Sequence, residues 1–114
     1  VDGSCRQYAL HFLGRDQEAE EWMQKLIDDE PYNIGHYYDK ACLYSRMGKL
    51  DEAVKALERS LEMGYSKFAH IEYDDDLDAI RNRADFKEMI AKYKEKHSAR
   101  IEKMKQGRPA EMEE

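Results

Sequence analysis

The stretch Gly14-Arg15-Asp16-Gln17-Glu18-Ala19 returns as Gly48-Lys49-Leu50-Asp51-Glu52-Ala53, offset by 34 positions. The match continues in register: Ala19, Met23 and Ile27 recur as Ala53, Leu57 and Leu61, and upstream Leu10 as Tyr44. A small residue followed at steps of four by large apolar ones marks one face of a helix. Each glycine stands where a preceding helix has to stop, because a residue without Cβ takes the left-handed turn at no steric cost. Asp16 and Asp51 fall near the next helix start, where an acceptor and a negative charge both help. Ala19 and Ala53 are small enough to let two antiparallel helices approach closely. The stretch therefore predicts helix–turn–helix units at a spacing of 34 residues.

The composition agrees. With 114 residues the chain holds one domain. Six glycines and two prolines are too few for a turn-rich β domain, and Leu, Ala, Glu, Lys, Met and Arg favour helix. The fold class expected is all-α. Helices are predicted near 4–13, 16–29, 33–47, 50–63 and 67–73, with a short turn near 76–82 and a long last helix over about 84–105.

The period of 34, with its small-x3-large pattern, resembles the tetratricopeptide repeat (TPR) family. Tyr37, Ala41, Tyr44, Gly48, Ala53 and Leu57 fall at the family's repeat positions. The first repeat is poorer, since Gln7 stands where a small residue is usual, although Pro31 keeps the next helix from beginning early. The stretch 41–90 resembles the end-of-array segment of bacterial TPR proteins, through Gly64-Tyr65, Phe68, Asp76-Leu77-Asp78, Arg81 and Phe86. The resemblance implies about two and a half repeats closed by a cap, which physics also asks for, because an uncapped last pair leaves an apolar face in water. One domain is expected over 1–105, with repeats about 1–33 and 34–67, a cap 68–105 and a flexible tail 106–114.

The run of aspartates in the cap, Asp74, Asp75, Asp76 and Asp78, invites a sharper reading. Asp74-x-Asp76-x-Asp78 copies the first ligand positions of a calcium loop, but Ala79 stands where glycine is needed and Asp85 where a glutamate closes the loop. Capping is the reading preferred: one of Asp74, Asp75 or Asp76 caps the turn starting near Leu77, and Arg81 lies within reach of an acidic neighbour. Asp85 serves the start of the last helix. Adjacent exposed carboxylates lack the fixed spacing and contrasting surroundings of an acid–base pair.

No other chemistry stands out. His11, His36, His70 and His97 do not pair with each other or with cysteine at metal-ligand spacing, and Cys5 and Cys42 form no C-x-x-C motif. Phosphate loops, nucleophile elbows and the D-[ST]-G motif of aspartic proteases are missing. No enzymatic activity and no cofactor are expected. Residues 1–91 carry 12 Lys and Arg against 20 Asp and Glu, a poor nucleic-acid binder. No apolar run approaches the ~18 residues of a membrane span. The cytoplasm is the expected compartment; the start at Val1 leaves room for an upstream export signal, and with it a periplasmic or secreted setting.

What the family resemblance implies is a protein or peptide partner on the concave wall made by the first helix of each repeat. Its exposed positions are Ser4, Tyr8, His11 and Phe12, then Gly35, Tyr38, Asp39, Cys42, Ser45 and Arg46, then Glu72 and Tyr73. Tyr8, His11, Phe12, Tyr38, Asp39, Cys42, Arg46 and Tyr73 are the candidate partner-binding residues. The Lys and Asn clamp of carboxylate-binding TPRs is missing, with Ser4, Tyr8 and Asp39 in those places. A competing reading has Tyr8, Phe12 and Tyr38 packed against the last helix. The function expected is a non-catalytic interaction module, with an accessory domain of a larger bacterial protein as the alternative. The last helix bears Phe86, Met89, Ile90, Tyr93, His97, Ile101 and Met104 at helical spacing. Its first half should cap the last repeat, and its second half should project and offer a surface for weak homodimerisation.

Overall fold

At Gly48, φ is 83°, in the left-handed region, and the chain reverses there between α3 (Ile34–Met47) and α4 (Leu50–Glu62). The Lys49 N–H donates across the turn to the Tyr44 carbonyl at 2.9 Å, and the Gly48 N–H to Ser45 at 3.2 Å. The same closure recurs after α1 (Arg6–Phe12), where Gly14 has φ 77° and the Arg15 N–H reaches the Leu10 carbonyl at 2.8 Å. It recurs again after α4, with the Tyr65 N–H on the Ser60 carbonyl at 3.0 Å. Each turn satisfies carbonyls that a helix end leaves orphaned.

The structure is a computed structural model and describes residues 6–106. Ser4, Cys5, the expected helix start at 4 and the tail from 107 lie outside the described residues. After α1 come α2 (Asp16–Asp29), α3 and α4, then α5 (Phe68–Tyr73), a 3-10 turn (Asp75–Leu77), α6 (Asp78–Arg81) and α7 (Ala84–Gln106). All described regular structure is helical, as expected. Asn33 caps α3, its side chain accepting from the Gly35 N–H at 3.0 Å.

Two apolar clusters hold the helices. Leu10, Ala19, Met23 and Ile27 of the first pair gather with Leu43, while Ala41, Ala53, Leu57, Ile71, Leu77, Ile80, Phe86, Met89 and Ile90 form the larger cluster under the cap. Ala19, Ala41 and Ala53 are fully buried, which allows the close helix approach their size anticipates. Helix α3 serves both clusters. Gln7 is also fully buried, and neither polar atom of its amide has a hydrogen-bond partner among the described residues.

The cap is fastened by arginines. Arg81 donates to the carbonyls of Ile71 (3.2 Å) and Asp74 (2.5 Å) and pairs with Asp78. Arg83 bridges Asp51 at 2.7 Å and Asp85 at 2.9 Å, tying α7 to the start of α4. Asp74 caps the 3-10 turn by accepting from the Asp76 N–H at 3.0 Å, the role expected of this run. The three carboxylates of the calcium-like spacing are engaged separately: Asp74 by Tyr38, Asp76 by Arg46 and Asp78 by Arg81. Helix α7 buries Phe86, Met89, Ile90 and Tyr93 against α4 and α6. Among the described residues beyond Tyr93, only His97 is half-buried; Ile101 is 40% and Met104 64% exposed.

Candidate binding groove

Helices α1, α3 and α5 and the turn after α5 enclose a groove of about 500 Å³. Tyr8, Tyr38, Asp39 and Cys42 line it from the two repeats, and Tyr65, Lys67, His70, Asp74 and Asp76 from the cap side. The sequence-predicted residues are thus only partly brought together. Arg46 stands beside the groove, its guanidinium 2.6 Å from Asp76. His11 pairs with Asp16 at 2.7 Å and lies 5.7 Å from the Phe12 ring. Phe12 and Tyr73 end their helices, are 73% and 82% exposed, and do not line the groove.

Each lining group is held by something definite. The Tyr38 ring stacks on Tyr65, 4.6 Å between centroids and 9° from parallel, and its hydroxyl donates to Asp74 at 2.6 Å. Its partners are therefore in the cap segment before α7, not on the last helix. The Tyr8 hydroxyl donates to the Asp39 main-chain carbonyl at 3.4 Å. Burial above all, with Cys42 and the nearby carboxylates adding to it, pushes the ionisation of both tyrosines above the usual range, so both stay neutral. His70 lies 3.3 Å from Asp74 and 5.6 Å from the Tyr38 ring.

Cys42 is buried, its sulfur 3.7 Å from Asp74. Burial and the neighbouring carboxylates push its thiol well up. It therefore remains a thiol at neutral pH, the opposite of what nucleophilic attack requires. Cys42, Asp74 and Asp76 have ligand-capable atoms within 4.8 Å of one another. A cation there would have to displace Arg46 from Asp76 and ionise a thiol that its surroundings keep protonated, so the donor set fits a metal poorly.

Asp39 differs from its neighbours. Its half-buried carboxylate has no hydrogen bond or ion pair to another described side chain, though His36 attracts it at longer range. Desolvation above all, opposed by His36 and supported by Asp76 and Asp74, raises its pKa to about 6.

The cap-side residues Tyr65, Lys67 and His70 are functional candidates that spacing along the chain does not reveal. They reach the groove because the chain folds back after Gly64. Asp74 and Asp76 were legible as capping residues, but their second place, in the groove wall, depends on contacts 30 or more positions away.

Residues 32–63 match the family model described as Tetratricopeptide repeat. Residues 32–63 thus carry a tetratricopeptide-type repeat, set within an all-helical fold. A chloroplastic protein of Arabidopsis thaliana is 29% identical over 86 residues, covering 72% of this chain and 25% of the relative. The chain thus spans about a quarter of the length of that curated relative. No solved structure matches the chain significantly. Tetratricopeptide repeats generally mediate protein–protein interaction and are typically non-catalytic. Among the described residues no helix is long and apolar enough to cross a membrane.

Proposed function

We propose that this chain is a non-catalytic interaction module that binds a peptide or protein segment in the concave groove between α1, α3 and the cap. One observation carries the reading: Tyr8, Tyr38 and Tyr65 stand together in an open groove, with polar groups fixed around them. Aromatic rings offer large contact area at low entropic cost, so such surfaces anchor partners efficiently. Tyr38 is pre-set by its stacking and its bond to Asp74, which lowers the ordering cost of binding.

A displayed random library of twelve-residue peptides tests this. Peptides that bind should shift the backbone amide resonances of residues around Tyr8, Tyr38, Asp39, Tyr65 and His70. Shifts confined to the convex side, around Tyr37, Tyr44 and Lys55, would refute the assignment.

A second reading is favoured by length. A chain matching a quarter of its relative suits an accessory module of a larger protein, with any catalysis elsewhere. We place the module in the cytoplasm, with the chloroplast as the alternative that the relative's name suggests. Exposed Ile101 and Met104 are the surface we propose for weak self-association.

A further inference from the structure

We propose that the groove takes an extended peptide carrying a lysine or arginine side chain, whose cation seats on Asp39. This deepens the peptide-binding reading and rests on it.

The charged groups of the groove are not equivalent. Asp76 already has Arg46 at 2.6 Å, and Asp74 accepts from Tyr38 at 2.6 Å with His70 and the Cys42 thiol close by. Asp39 has no such partner among the described residues, although it lines the same groove as Tyr8 and Cys42. A half-buried carboxylate has lost part of its hydration, and an incoming cation restores what water no longer supplies. The rim also holds Lys67, but that residue is exposed and keeps its own hydration, so it requires no partner. Among the described lining carboxylates, Asp39 is therefore the one left without a close positive or donor group.

The surroundings suit a Lys or Arg in particular. Its methylene stem can lie along the stacked tyrosines while its head reaches the carboxylate. The acidic body, with 20 Asp and Glu against 12 Lys and Arg over residues 1–91, draws such a partner in. A calcium or zinc ion meets these needs less well, for the reasons given above: Arg46 holds Asp76, and the thiol stays protonated. A second copy offers a basic helix, residues 92–106, but the groove's pre-set tyrosine anchors suit separate side chains of an extended segment.

The probe is the displayed random twelve-residue library, selected on the intact protein. Peptides whose amide shifts map to the groove should share a Lys or Arg at one position. Asp39→Asn should weaken them at least tenfold, and replacing that Lys or Arg by norleucine should weaken binding to the wild-type protein equally. On the Asp39→Asn background that replacement should then change little. Groove-binding peptides with no basic preference would overturn this inference and leave the peptide-binding reading standing. Selection that yields no groove binder would overturn both. A synthetic peptide of residues 92–106 that binds the groove more tightly than the selected sequences, and loses that on Asp39→Asn, would assign the site to a second copy and overturn the proposal.

Discussion

The two helical pairs follow one sequence pattern, yet they are built to different standards. In the second pair Ala41, Ala53 and Leu57 are fully buried, and the cap adds Ile71, Leu77, Ile80 and Phe86 to the same cluster. In the first pair the cluster is only Leu10, Ala19, Met23 and Ile27 with Leu43 from α3. The buried Gln7 amide has no hydrogen-bond partner among the described residues, while Phe12 and Leu13 stand 73% and 69% exposed. A helical array is stabilised largely by neighbour-to-neighbour interfaces, so a pair with helices on both sides outweighs one at an edge. The lesson is that an equal repeat signature does not confer equal stability; position in the stack does.

The comparison breaks most easily in the core. Leu57→Ala should cost about 3–4 kcal/mol in urea unfolding, near the upper part of the range for buried leucine truncation, because cap and repeat both pack on that site. Leu10→Ala should cost nearer 2 kcal/mol and, in native-state hydrogen exchange, release chiefly the amides of α1 and α2. Equal costs for the two would show that the pairs are not ranked as described.

The cap's contribution is sharpened at Arg81, whose guanidinium satisfies two main-chain carbonyls. Arg81→Met keeps the stem and removes those bonds, so a loss of about 2–3 kcal/mol is expected by the same unfolding measurement. In the first pair the expected sign reverses. Gln7→Met fills the same space without burying an unpaired amide and should stabilise by about 1 kcal/mol. A destabilised Gln7→Met protein would contradict the reading that the buried amide is a net cost.

The smallest effect belongs to the end of α7. Truncation after His97 removes no buried side chain among the described residues, so thermal stability should move by less than about 0.5 kcal/mol. Light scattering at rising concentration should show weak association in the full chain and a monomer after truncation. Identical masses for the two would remove the proposed self-association.

Much of the fold was legible because its signals are local. Gly14 and Gly48 mark their turns, Asp74 caps the 3-10 turn, and the Ala19–Met23–Ile27 spacing names a buried face. The groove was legible in part. Tyr8, Tyr38, Asp39 and Cys42 follow from repeat position, but Tyr65 and His70 reach it only through tertiary folding after Gly64. Phe12 and Tyr73 share the pattern but sit at helix ends, where the wall they were expected to join has stopped. That Asp39 has no close partner among the described residues is the least local property of all, visible only once Arg46 is placed on Asp76 and Tyr38 on Asp74.

Asp39→Asn therefore offers the most direct measurement, taken as stability and peptide affinity on one sample. The Asp39 pKa is raised to about 6 in the folded chain, against 3.8 as its ordinary value. The folded state thus disfavours the charged form, and the destabilisation is present above about pH 6 and relieved as pH falls towards 3.8. After discounting for the solvent that still reaches a half-buried group, Asp39→Asn should gain about 1 kcal/mol at pH 7 and almost nothing at pH 4. At pH 7 the same variant should bind the selected basic peptides at least tenfold more weakly. A more stable protein that binds them with unchanged affinity would contradict the account.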